Sequence, residues 1–229
     1  MPVSYSYKDI HADLLSYNYT DRLVQIVEAR PKVVTDLSGI GLPVRLVGGM
    51  DLSGAYLDVH SYTTLQRTTE SNAFTISELS AGPYLSAKAE LLPGFNVSAG
   101  ARYDTALISA VNKDFSVDES IVHGAFVYEA GLSYLPLDGL KVYASCGTLF
   151  RYPFTDEQAE TSGFGADQFN ADLKPETGFN AEGGIDLKLP HRLYIIGTFY
   201  YNPMTDELAL DSIYPHMNLN QTRRNGQNA

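Results

Sequence analysis

The sequence predicts an all-β fold, an antiparallel transmembrane β-barrel portion, on three observations. Side chains alternate with period two over long stretches. Tight turns take turns with long polar connections. No run of about 18 apolar residues is present that would cross a bilayer as a helix. The alternation is clearest over 178–189: Phe179, Ala181, Gly183, Ile185, Leu187 and Leu189 stand on one parity, and Gly178, Asn180, Glu182, Gly184, Asp186 and Lys188 on the other. Such a strand has one apolar and one polar side. Its mid-strand charges lie beside no cluster able to bury them in a soluble core. The apolar side is therefore expected to meet lipid, and the polar side a hydrated lumen.

In chain order, two strands are expected between Val3 and Val34, and a third over 44–64. Leu85, Ala87, Ala89 and Leu91 oppose Ser86, Lys88 and Glu90. The turn at Pro93-Gly94 then leads into Phe95, Val97, Ala99, Ala101 and Tyr103, which oppose Asn96, Ser98, Gly100, Arg102 and Asp104. The next hairpin carries Val122, Gly124, Phe126, Tyr128, Ala130, Leu132 and Tyr134 against His123, Glu129 and Ser133. It turns between Pro136 and Gly139 into Leu140, Val142, Ala144, Cys146 and Thr148. The 178–189 strand turns at Pro190-His191 into 193–201, which makes roughly nine strands.

The turns at Gly94, Gly139 and Pro190 alternate with polar connections at 65–77, 106–121, 152–175 and 207–220. Short turns at one end and long loops at the other are the build of outer-membrane barrels. A soluble sandwich or lipocalin-like barrel also alternates, but rarely needs loops so unequal. Sixteen Tyr and ten Phe without Trp suit two interfacial belts, although Tyr is also a good strand former. A mean hydropathy of -0.14 looks soluble, as it must when every second residue faces a polar lumen.

Chemistry is mostly excluded. A net charge of -11 argues against nucleic acid as a partner. The single cysteine, Cys146, permits no internal disulfide and falls on the apolar parity of its strand, as a wall residue rather than a nucleophile. His11, His60, His123, His191 and His216 have no ligand spacing. Tyr214-Pro215-His216-Met217 offers a soft metal too few donors. The loop acids Asp156, Glu157, Glu160, Asp167 and Asp172 lack an EF-hand pattern and read as a solvated loop. No metal, no cofactor and no catalytic residue is expected. No Gly-x-Ser-x-Gly or phosphate-cradling loop occurs. The Asn96-Val97-Ser98 sequon lies within a strand.

Residues 142–186 read VYASCGTLFRYPFTDEQAETSGFGADQFNADLKPETGFNAEGGID. An aromatic-Arg-x-Pro strand end is matched by Phe150, Arg151 and Pro153. After a long loop, Asn-x-x-Leu-x-Pro-Glu is matched by Asn170, Leu173, Pro175 and Glu176. Glu-x-Gly is matched by Glu182 and Gly184. In this order, between alternating strands, the elements resemble the TonB-dependent outer-membrane receptor barrel. Glu28 to Arg30 followed by Leu46-Val47-Gly48-Gly49-Met50-Asp51 resembles the family's upstream hairpin, so the likeness covers most of the chain. Independently of the family, Pro153 and Pro175 suit places where strands leave and enter the sheet. Arg151, Glu176 and Glu182 are expected near the rim or lumen, in reach of one another. Gly183-Gly184 suggests a bulge or a close backbone approach.

The resemblance implies a bacterial outer-membrane receptor for energy-coupled uptake of a scarce nutrient complex, such as a ferric siderophore or a cobalamin. It implies outer-membrane lipid, an inner-membrane energising complex acting through a plug domain, and a nutrient chelate as partners. Such barrels have about 22 strands. Residues 1–229 are accordingly expected to be an interior part of the barrel, open in isolation, with the plug and the C-terminal strands outside them and no export signal at Met1-Pro2. Open edges should make the isolated chain aggregate or need detergent. A passive porin or adhesin-type barrel explains the alternation but not the motif; an outer-membrane hydrolase would need a Ser and His at matching depth. Ligand contact is expected on the loop 152–172, at Tyr152, Phe154, Phe164, Gln168 and Phe169.

Overall fold

The computed structural model describes residues 2–13, 19–37, 43–112, 114–153, 157, 169–170, 172–190, 193–210 and 216–228. Eleven strands form one antiparallel sheet: β1 (Val3–Asp13), β2 (Tyr19–Ala29), β3 (Lys32–Leu37), β4 (Val44–Tyr62), β5 (Glu70–Leu92), β6 (Phe95–Asn112), β7 (Val117–Leu137), β8 (Leu140–Arg151), β9 (Glu176–Leu189), β10 (Leu193–Leu210) and β11 (His216–Asn228). Neighbours in sequence are neighbours in the sheet, except that β2 and β3 both pair with β4. They are one stave. Ala29 lies opposite Leu52 and Lys32 opposite Gly49, so the register runs unbroken through Arg30-Pro31. Pro31 has no N–H for the ladder, yet its carbonyl accepts the Met50 N–H at 3.0 Å. The sheet is open, with β1 and β11 at its edges.

The strands outrun the roughly nine short ones expected. Much of 65–77 and 106–121 belongs to β5, β6 and β7 rather than to loops, and β11 occupies part of 207–220. Two physical reasons apply. The outer ends of β5 and β6 carry apolar residues on the parity that is polar lower down, which erases the alternation signal. The β11 sequence HMNLNQTRRNGQN has no apolar period at all. At the other end the expected tight turns hold: Gly94 and Gly139 adopt φ of 75° and 87°, the left-handed region that glycine enters without steric cost.

Burial separates the two faces. On the parity of Arg102, His123 and Glu176, Ile108, Ala106 and Asn112 are fully buried and Val59 and Ile76 nearly so. On the other parity Leu85, Phe126, Leu132, Ile185 and Phe199 stand exposed, Phe126 by 62% and Ile185 by 45%. A soluble sheet buries its apolar face. Here the apolar face is the outer one and the polar face the inner, as in a wall whose solvent is lipid. Aromatics mark both ends of the outer band. Phe95 and Tyr134 meet edge-on at 5.9 Å near the tight turns, while Phe126 and Tyr128 sit tilted at 6.5 Å toward the long loops.

One seam interrupts the wall. β7 and β8 pair from Leu137 opposite Leu140 up to Glu129 opposite Gly147, and among the described residues no higher. There the Tyr128 N–H donates to the Thr148 side-chain oxygen at 3.0 Å instead of to a ladder carbonyl. β8 continues beside β9 as far as Arg151 opposite Glu176. A fork results, opening toward the long loops.

Candidate inner-face site

Three groups gather on the inner face. The first spans three strands. Arg102 on β6 holds Asp104 of its own strand with both arms, at 2.5 and 2.6 Å, and reaches Asp51 on β4. Between them lies Gly82 on β5, opposite Asp51. A β-carbon there would collide with the guanidinium and with Asp104, so the missing side chain is what lets Arg102 cross a strand. The bidentate geometry suits a planar guanidinium.

The second group is at the outer rim. Arg151 donates Nε and Nη2 to the two oxygens of Glu176, at 2.8 and 3.0 Å, and Nη1 to Glu157 at 2.8 Å. Glu176 also accepts the Leu208 N–H at 2.6 Å, which ties β9 to β10 above the last regular pairs. Arg151 and Glu176 thus meet as expected. Glu182 does not join them: it is six residues farther down the same face, opposite Ser145 and Tyr200, about 20 Å along the strand.

The third group is an apolar floor of Val59, Phe74, Ile76, Ile108, Ala110 and Val117, against which Leu57, Ile121 and Phe169 pack. Leu173 is buried on the chain returning to β9, and Pro153 is among the most buried residues. This floor explains the apolar inner parity high on β5 and β6, and Phe169 on the chain returning to β9 packs against it. Tyr152 stacks on His123 at 5.9 Å and meets Phe150 edge-on at 5.0 Å. Its hydroxyl is buried and has no hydrogen-bond partner among the described residues, and burial, then the nearby Asp104 carboxylate, raises its pKa, so it stays protonated as a donor.

The motif residues have structural duties. Asn170 accepts the Asp172 N–H at 3.1 Å on its side chain and the Leu173 N–H at 3.4 Å on its carbonyl, turning the chain toward β9. Pro175 precedes β9 directly. Gly184 lies under the Tyr143 ring, whose hydroxyl shares a hydrogen bond with Thr198 at 2.8 Å. A β-carbon at Gly184 would sit 2.6 Å from that hydroxyl, so Gly184 marks a close approach while Gly183 does not, and pairing runs through both residues without a bulge. Of the five expected ligand contacts, Tyr152 and Phe169 are described, and Phe169 anchors the loop on the floor. Phe154, Phe164 and Gln168 lie outside the described residues. Sequence reading did not single out Arg102, Asp104 and Asp51. The signal was three charges on the polar parity around a mid-strand glycine. Among the described residues no cluster of His, Cys, Asp or Glu is arranged to hold a metal ion.

The family described as "TonB dependent receptor-like, beta-barrel" matches residues 3–228. No curated protein matches the sequence. Among solved structures, the ferric-catecholate import receptor Fiu from Escherichia coli K12 superposes with a TM-score of 0.70 at 11% identity, covering 98% of this chain and 40% of that one. The ferric citrate transporter FecA gives a TM-score of 0.74 at 12% identity, over 98% and 34%. The alcaligin outer-membrane receptor FauA from Bordetella pertussis gives 0.67 at 17%, over 98% and 38%. The chain thus spans two fifths or less of the length of these structures, and at such identities the likeness speaks for the fold.

Proposed function

The chain belongs to the TonB-dependent receptor β-barrel family, whose members are outer-membrane proteins of bacteria, and on that premise we propose that it forms part of the wall of a receptor for energy-coupled nutrient uptake. The family match over nearly the whole chain carries this reading. The lipid-facing outer parity and the charged inner face agree with it. In this reading the edges of β1 and β11 pair with further staves of a larger barrel, because each unpaired backbone group in hydrocarbon costs on the order of several kcal/mol. A plug domain within that barrel links it to an inner-membrane energising complex. The cargo is a scarce nutrient chelate, a ferric siderophore first and a cobalamin second. The cargoes of the structurally similar receptors, ferric catecholate, ferric citrate and alcaligin, support that order.

Contact with cargo falls to the loop after β8, through Tyr152, Phe154, Phe164, Gln168 and Phe169. The orphan Tyr152 hydroxyl is its described donor. The test is uptake of labelled ferric chelates by cells with and without the gene, in the presence and absence of a protonophore. Uptake that needs the gene and stops with the protonophore is expected. Gene-dependent uptake indifferent to the protonophore would return the chain to the passive porin class. Deleting 161–168 in the complete receptor should abolish uptake without loss of the folded barrel, and unchanged uptake would remove the loop from the site.

A further inference from the structure

Resting on the uptake reading, we propose that Glu78 sets the charge of the cargo: it takes an ammonium group of the nutrient chelate, so that positively charged chelates are selected over anionic ones. Glu78 stands on the inner face of β5, next to Ile76 on the side of the tight turns and so at the lower edge of the apolar floor. It lies opposite Ala55 of β4 and Ile108 of β6, neither of which offers a charge or a side-chain hydrogen bond. The carboxylate is half-buried, and among the described residues it has no ion pair and no hydrogen bond. A carboxylate so placed calls for a cation, since burying it unpaired is costly.

The described cations of this face are engaged elsewhere or distant. Arg102 is matched by Asp104 and Asp51, and Arg151 by Glu157 and Glu176. Lys174 has partners of its own. Arg22 on β2 has no ion pair among the described residues, but it lies opposite Val59 and so in the row of Phe74, two strands and four residues from Glu78, about 16 Å away. His123 is within electrostatic reach of Glu78, as an imidazole and not a fixed cation. An anionic chelate would meet the Glu78 charge with no free guanidinium beside it. A second, independent feature marks the same place. The buried Tyr152 hydroxyl, which has no hydrogen-bond partner among the described residues, lies within electrostatic reach of Glu78. An ammonium next to a chelate carbonyl satisfies both groups: the carboxylate accepts the N–H, and the hydroxyl donates to the carbonyl oxygen.

The test is equilibrium binding to the complete receptor of one ferric trihydroxamate chelate in three forms: with a free terminal amine, N-acetylated and N-succinylated. The metal centre is the same throughout, and the net charge is positive, zero and negative in turn. The parent is expected to bind the amine form about tenfold more tightly than the acetylated form, and the succinylated form most weakly. Glu78→Gln should erase the preference for the amine form over the acetylated one. Glu78→Lys should reverse the order of the charged forms, and serves if Glu78→Gln does not fold. Binding of none of the three, equal affinity for them, a preference for the succinylated form, or an amine preference that Glu78→Gln retains overturns the proposal. Binding draws on no energy source, so its failure leaves protonophore-sensitive uptake standing, and uptake indifferent to the protonophore leaves the charge preference standing.

Discussion

Thr148 takes the backbone N–H of Tyr128 on its side-chain oxygen, at 3.0 Å, at the point where β8 parts from β7. A hydroxyl stands in for a ladder carbonyl, so the last bond across the seam is made by a side chain and depends on residue type. Replacing Thr148 by Val keeps the shape and removes the acceptor. Faster amide exchange is expected in a peptide containing Tyr128, with a loss of about 1 kcal/mol in unfolding free energy. Unchanged exchange there would mean that the hydroxyl does not close the seam.

Among the described residues Arg102 is the charge that balances Asp104 and Asp51, and Asp104 is nearly buried. Arg102→Ala should destabilise the wall by roughly 2 kcal/mol, a figure below that for a fully buried pair because Arg102 and Asp51 remain about one third exposed. Adding Asp104→Asn should recover part of the loss, since it removes an unpaired buried charge. Urea unfolding in lipid vesicles measures both. Equal stability of the single and double variants would show that the carboxylate is solvated by other means.

The floor under the loop is predicted to behave as a core although it lies on the wet face. Ile108 is fully buried, so Ile108→Ala should cost about 2–5 kcal/mol and loosen the outer ends of β5 and β6. Leu107→Ala, one residue away on the outer parity and exposed, should cost far less in vesicles. Hydrogen exchange over 70–78 and 106–112 separates the two, and similar behaviour of both variants would contradict a packed floor.

On the outer parity beyond the aromatic band, the His11 ring donates to Asp21 at 2.6 Å, and Arg67 donates to the same oxygen at 2.7 Å. The hydrogen bond to Asp21, then the Asp21 charge, raises the His11 pKa above its ordinary value near 6.5. A raised histidine contributes stability in full below that ordinary value and loses it as pH rises through the folded-state value. Exchange protection at the outer ends of β1 and β2 should therefore fall as the medium turns alkaline, and His11→Gln should flatten the dependence. A parent profile flat across that range would remove His11 from the pairing.

The wall was legible in the sequence because side-chain direction in a strand is local: successive residues point to opposite faces whatever else the chain does. Phe126, Ile185 and Leu85 could be assigned to lipid from parity alone, and the tight turns from Pro93-Gly94 and from Pro136 to Gly139. The Phe150, Arg151 and Pro153 element and the Asn170 to Glu176 element placed the rim. Strand length was not legible for the same reason, since Phe74, Ile76, Ala106 and Ile108 are apolar on the polar parity and broke the pattern. What covers a face is decided by segments distant in sequence, here Phe169 packing on the floor that β4 to β7 form. Register decided the rest. Asp51, Gly82 and Arg102 lie on three strands, and Tyr128 meets Thr148 across a hairpin. Only pairing in space turns those separations into an ion cluster, a strand-spanning guanidinium and a forked seam.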